Sequence, residues 1–131
     1  MTKKHVVEIL YTERCRHLEL ALERVREALA VRREGLDVEV RLVLVASFAD
    51  AMARRFRGSP TVRIDERDVE TRPGAAAPVG LLSRGYVVDG RIERAPTVAS
   101  IAQALDRLAT DERMRAGRVR AVAPSYSDAS P

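Results

Sequence analysis

A single cysteine among 131 residues excludes an intrachain disulfide, and with it a disulfide-stapled fold. Tryptophan is absent and only 4% of residues are aromatic, so Val, Leu, Ile and Ala must fill the core. No apolar stretch approaches the ~20 residues needed to cross a bilayer, which argues against a spanning helix. The stretch after Met1-Thr-Lys-Lys-His5 is too short for the apolar segment of a secretion leader. These absences set the expectation of a cytoplasmic protein with a reduced thiol and no membrane partner. Soft metal ligands are as scarce as thiols. His5, Cys15 and His17 form no established zinc spacing, so neither a metal nor a resident cofactor is expected.

Charge is plentiful but not segregated. There are 23 basic and 19 acidic residues, for a net charge of +4. Arginine alternates with glutamate, as in Glu23-Arg24-Val25-Arg26-Glu27. Such mixing marks a solvated helix face rather than a nucleic-acid footprint, so no nucleic-acid partner is expected. Apolar residues make up 46% of the chain, enough for one globular domain without staples.

His5 to Tyr11 reads as a strand apolar on both faces. A helix is predicted from about Cys15 to Arg33, with Leu18, Leu22, Val25 and Leu29 as its stripe and Gly35 as its stop. Asp37 to Val45 is a second strand, which implies a βαβ unit and a parallel pair. Phe48 to Phe56 is a short helix with Ala49, Met52, Ala53 and Phe56 on one side. Arg57-Gly58-Ser59-Pro60 is a turn, Thr61 to Asp65 a third strand, and Glu66-Arg67-Asp68 a tight turn into Val69. Thr71 to Leu82 is loop-like, with Pro73, Gly74 and Pro78 against regular structure. Arg84 to Val88 is the last strand, followed by a turn at Asp89-Gly90. Pro96 precedes a final helix from Thr97 to about Ala109, with Val98, Ile101, Leu105 and Leu108 buried. The division is one domain, 1–112, and a flexible tail, 113–131. The tail is either solvated or a partner-binding segment using Arg113, Arg115, Arg118 and Arg120.

The order β-α-β-α-β-β-α places Cys15 at the first strand-to-helix junction and Pro60 just before the third strand. Tyr11-Thr-Glu-Arg-Cys15-Arg-His-Leu18 and Phe56-Arg-Gly-Ser-Pro60-Thr-Val62 carry a resemblance to the thioredoxin-like superfamily. From Val7 to Leu108 the chain resembles a small, poorly characterised group of bacterial thioredoxin-like proteins with a Gly-Ser-Pro-Thr turn. The resemblance implies an α/β fold with a central mixed four-stranded sheet flanked by helices. It also implies a cis bond before Pro60, with Ser59 offering its backbone N–H and C=O to a bound peptide or thiol.

Two departures follow. Thioredoxins use Cys-x-x-Cys, whereas Cys15-Arg16-His17-Leu18 lacks the second thiol. The related group often has a further cysteine or selenocysteine in the late loop, where this chain has Ser83. A monothiol at a helix start still gains from the helix dipole and from neighbouring cations, here Arg14, Arg16 and His17.

Two main readings stay open. In one, Cys15 is the catalytic thiol of a monothiol redox protein, and an external low-molecular-weight thiol resolves its mixed disulfides. Ser59, Pro60, Arg16, His17 and Tyr11 then bind a protein or small-molecule thiol or disulfide. In the other, the fold is a non-catalytic module that binds a partner or forms a homodimer. A third reading, oxyanion handling like that of arsenate reductases, would need Arg63 and Arg84 to reach the thiol.

Overall fold

The computed structural model describes residues 3–32, 36–70 and 79–128, with side chains described as far as residue 116. The expected stop at Gly35 and most of the expected Thr71–Leu82 loop lie outside the described residues.

β1 (Lys4–Tyr11) is the second strand of a four-stranded sheet ordered β2-β1-β3-β4. β2 (Asp37–Leu44) pairs with it in parallel, with His5 beside Val38 and Tyr11 beside Leu44. β3 (Thr61–Ile64) pairs antiparallel on its other side, with Val7 beside Ile64 and Leu10 beside Thr61. Among the described residues the result is a mixed sheet with three helices, an α/β arrangement.

The alternation of β1 sets two cores. Val7 and Ile9 are fully buried with Val62 and Ile64, against Ala21, Val25 and Ala28 of α1 (Leu18–Arg32) and Ile101 and Leu105 of α3 (Val98–Asp128). Leu10 faces the other way and packs with Val45, Ala51 and Phe56. Among the described residues, one face of the sheet is thus covered by two long helices, and the other by α2 (Phe48–Arg54) near one end.

α1 begins three residues later than predicted. The His17 carbonyl accepts the first helical bond, from Ala21 N–H, while Cys15 N–H turns back to the Thr12 carbonyl at 3.0 Å. Apolar periodicity locates a helix body, but the local turn at Thr12 decides where it starts.

The predicted apolar side of α2 is corrected too. Ser47 caps its start by accepting from Asp50 N–H, and Arg54 bonds Asp50 one turn back. Arg55 then adopts a left-handed conformation (φ 52°), and Phe56 N–H bonds the Ala51 carbonyl while Arg55 N–H bonds that of Met52. This paired ending stops the helix at Arg54 and drops Phe56 into the core. Ala51 is the buried helical residue, whereas Ala49, Met52 and Ala53 are exposed.

The fourth strand is not Arg84–Val88. Asp65 and Glu66, both at positive φ, form a two-residue hairpin turn, and β4 (Arg67–Asp68) pairs with Ile64 and Arg63. The tight turn therefore sits one residue earlier than expected. Of the predicted last strand, Tyr86–Val88 forms β5 and pairs with β6 (Arg91–Glu93) across Asp89-Gly90 in a separate two-stranded hairpin.

α3 starts as predicted, with Thr97 Oγ1 accepting from Ser100 N–H, and buries Ile101 and Leu105. It runs on to Asp128, through the segment expected as a tail. Its apolar stripe ends near Leu108, but helix-forming Arg, Glu, Met and Ala continue beyond it. Stripe length and helix length are separate properties.

Candidate functional site

The ends of β1 and α2, the turn before β3 and the segment 82–84 meet at one place. Thr12, directly after β1, joins the two expected site residues. Its N–H donates to Ser59 Oγ at 3.0 Å, and its carbonyl accepts from Cys15 N–H. Cys15 is a free, half-buried thiol in this turn. Arg14 and Arg16 are exposed, and His17 is half-buried directly before α1. Tyr11, the last residue of β1, is half-buried beside Leu44. The expected placement of Cys15 in the first turn of the helix is thereby corrected, because two residues separate it from Leu18.

The Ser59–Pro60 peptide bond is cis, and both residues are buried. Both backbone groups of Ser59 are bonded within the chain. Its N–H donates to the Leu82 carbonyl at 2.8 Å, and its carbonyl accepts from Arg84 N–H at 3.0 Å. Ser59 and Ser83 form an isolated parallel bridge. The chain's own late segment thus lies where a bound strand was expected. The position of Ser83, the expected counterpart of a late-loop cysteine, is fixed by this pairing.

Gly58 makes the close approach achievable. Its φ is +120°, and a Cβ there would stand 2.8 Å from Arg84 Cβ and 3.1 Å from the Leu82 carbonyl. Only glycine fits both the backbone angle and the gap. Gly80 N–H adds a bond to the Phe56 carbonyl at 3.0 Å, so the segment is fastened on both sides of Leu82.

Arg84 anchors the arrangement from inside. Its side chain is only 5% exposed, and it donates to Asp68 Oδ2 at 2.6 Å and to Thr61 Oγ1 at 3.1 Å. Its guanidinium lies 4.6 Å from the centre of the Tyr86 ring, a cation–π distance. Thr61 in turn donates to the Gly58 carbonyl at 2.6 Å, and Tyr86 OH donates to the Pro60 carbonyl. Burial raises the Tyr86 hydroxyl well above its usual range, which keeps it a donor. Burial opposes the charge on Arg84, but the hydrogen bond and charge of the Asp68 carboxylate help hold the guanidinium charged.

The arginines of the oxyanion reading are therefore engaged elsewhere. Arg84 serves Asp68 and Thr61, and Arg63 donates to the Arg55 carbonyl at 3.0 Å. Sequence reasoning missed the Arg84–Tyr86–Asp68 cluster. Its one visible signal was an arginine opening an otherwise apolar strand.

A second polar cluster lies at the far end of β1. His5, 3% exposed, stands between Asp65 (2.6 Å from Nδ1) and Glu112 (2.8 Å from Nε2). Asp65 also accepts from Val6 N–H at 2.9 Å. This trio ties β1, the β3–β4 turn and α3 together. Burial disfavours the charged imidazole, but hydrogen bonds and charge from the two carboxylates prevail and raise its pKa above 6.5. Among the described residues, no group of three or more His, Cys, Asp or Glu side chains is arranged to hold a metal ion. Likewise, no described helix is long and apolar enough to cross a membrane.

No protein-family model, curated protein or solved structure matches this chain. The functional reading therefore rests on the geometry of the site.

Proposed function

We propose that the chain is a thioredoxin-like module whose peptide slot beside Pro60 is closed by its own segment 82–84, and that it serves as a non-catalytic binding or dimerisation unit. The strand order β2-β1-β3-β4, Cys15 after β1 and Pro60 before β3 support the likeness. The observation that carries the functional part is the engagement of both Ser59 backbone groups by Leu82 and Arg84. A substrate strand would have to displace a segment held by a buried Arg84. The missing second thiol points the same way.

One observation favours a second reading, a monothiol redox protein. Cys15 is partly accessible and is linked through Thr12 to Ser59. Its thiolate would attack a disulfide to give a mixed disulfide and release one thiolate. An external low-molecular-weight thiol would then attack that mixed disulfide, restoring the Cys15 thiol and leaving with the carried group as a new disulfide. Electrons balance without a resident cofactor.

Turnover of a glutathione-linked mixed disulfide, with excess free thiol, separates the two. The module reading expects the wild type and Cys15→Ser to match the uncatalysed rate. A wild-type rate above background that Cys15→Ser abolishes would establish the monothiol reading instead.

A further inference from the structure

Among the described residues β2 is an edge strand, eight residues long and without glycine or proline. Edge strands of this length normally carry features that block pairing, because their unpaired backbone groups template another strand. Here the direction of those groups can be assigned. Val45 N–H donates to the Tyr11 carbonyl in the parallel register that sets Tyr11 beside Leu44. In a parallel ladder alternate residues bond the same neighbour, so the odd-numbered residues of β2 bond β1. Val38, Val40, Leu42 and Leu44 therefore direct N–H and C=O away from the sheet. Leu42 and Leu44 also keep 48% and 43% of their surface exposed.

We infer that a second copy of this chain pairs along that edge, antiparallel, about a two-fold axis through Val40. The pattern of β2 is complementary to itself in this register. Val40 meets Val40, and Val38 meets Leu42 on each side of the axis, all in hydrogen-bonded positions. Glu39 of each copy stands opposite Arg41 of the other, in the non-hydrogen-bonded positions where facing side chains are closest. Sliding by two residues sets Arg41 against Arg41 or Glu39 against Glu39, and like charges directly opposed are unfavourable. Sliding by one exchanges the apolar and charged faces. Charge and hydropathy thus select one register. Within a single chain Arg41 is already paired with Glu39, so the same charges only exchange partners across the axis. The product is one continuous sheet joined edge to edge, which removes both exposed β2 edges.

Sedimentation equilibrium of the full chain and three variants tests the inference, with circular dichroism to check folding. The wild type is expected to be a dimer. Val40→Pro removes the outward N–H at the axis, a change edge strands tolerate, and should give a folded monomer. Arg41→Glu sets carboxylates opposite each other at two symmetric places and should weaken association about tenfold or more. Adding Glu39→Arg to Arg41→Glu restores opposite charges and should restore the dimer. A wild type that is monomeric throughout, or a dimer indifferent to Arg41→Glu, would overturn the inference. So would failure of the double variant to recover. Should Val40→Pro not fold, the charge exchange alone decides, since Glu39 and Arg41 lie outside the core.

Discussion

Ser59 and Arg84, far apart in sequence, are joined backbone to backbone: the Ser59 carbonyl accepts the Arg84 N–H at 3.0 Å. The Arg84 side chain then runs inward to Asp68 and Thr61. One residue thus holds segment 82–84 against Ser59 by its backbone and fastens it from the core by its side chain.

Removing the lock should cost stability. Arg84→Met leaves Asp68 without its cation and removes the donor to Thr61. Breaking a largely buried pair on one side is expected to lower unfolding free energy by about 2–4 kcal/mol, moderated here by the partial exposure of Asp68. Asp68→Asn keeps an acceptor but leaves the 5% exposed Arg84 guanidinium without its counter-charge, and should cost a similar amount. Urea titration checks both variants, and losses under about 1 kcal/mol in both would show that the pair does not hold the segment.

Gly58→Ala tests the closure by sterics. The added methyl would meet Arg84 Cβ at 2.8 Å with φ at +120°, so the segment must move or the turn must strain. A loss of roughly 2–3 kcal/mol is expected. Thr61→Val, which removes the donor to the Gly58 carbonyl and the acceptor of an Arg84 N–H without a clash, should cost about 1–2 kcal/mol. A Gly58→Ala loss below about 1 kcal/mol would show that the gap at Gly58 is not tight.

Much of this architecture was legible in the sequence, and the failures have physical causes. β1, the body of α1 and β2 follow from strand alternation and helical spacing, which are local. The start of α1 depends on the Cys15 N–H bond to Thr12, which apolar spacing does not report. The fourth strand was misassigned because Tyr86 and Val88 look as strand-like as any residue, while Arg67 and Asp68 do not. What decides is a left-handed pair at Asp65 and Glu66 that folds Arg67 and Asp68 back onto β3. The resemblance implied that the backbone before Pro60 faces Cys15, and the structure links Cys15 and Ser59 through Thr12. The occupation of Ser59 by residues 82–84 was not legible, because it depends on a backbone gap at Gly58. The His5–Glu112 contact spans 107 positions and leaves no periodic trace.

That His5 trio gives stability a definite pH dependence. The folded pKa of His5 is raised above 6.5, so its contribution is complete below the unfolded value and is lost as pH rises through the raised value. Asp65 has the opposite sign. Burial alone would raise its pKa, but the Val6 N–H and His5 lower it below 3.8. Its contribution is present above the unfolded value and disappears as pH falls through the lowered one. Denaturation midpoints should therefore decline on both sides of a plateau between them. His5→Gln should flatten the alkaline decline and leave the acid one partly in place, because Val6 N–H still holds Asp65. An unchanged alkaline slope would contradict the assignment.

Tyr86→Phe isolates one bond of the lock. The ring remains under Arg84, but the Pro60 carbonyl loses its donor. A loss of about 1–2 kcal/mol is expected, with the Tyr86→Ala variant losing about 3 kcal/mol or more. Thermal unfolding of the pair checks the difference.

Native-state amide hydrogen exchange at Ser59 and Arg84 tests the central claim most directly. If segment 82–84 closes the slot, both amides exchange slowly and together, and Arg84→Met speeds both more than it speeds Val7 or Ile9 in the core. Exchange of the Ser59 amide at the rate of an open loop, unaltered by Arg84→Met, would show that the slot is free and contradict the account.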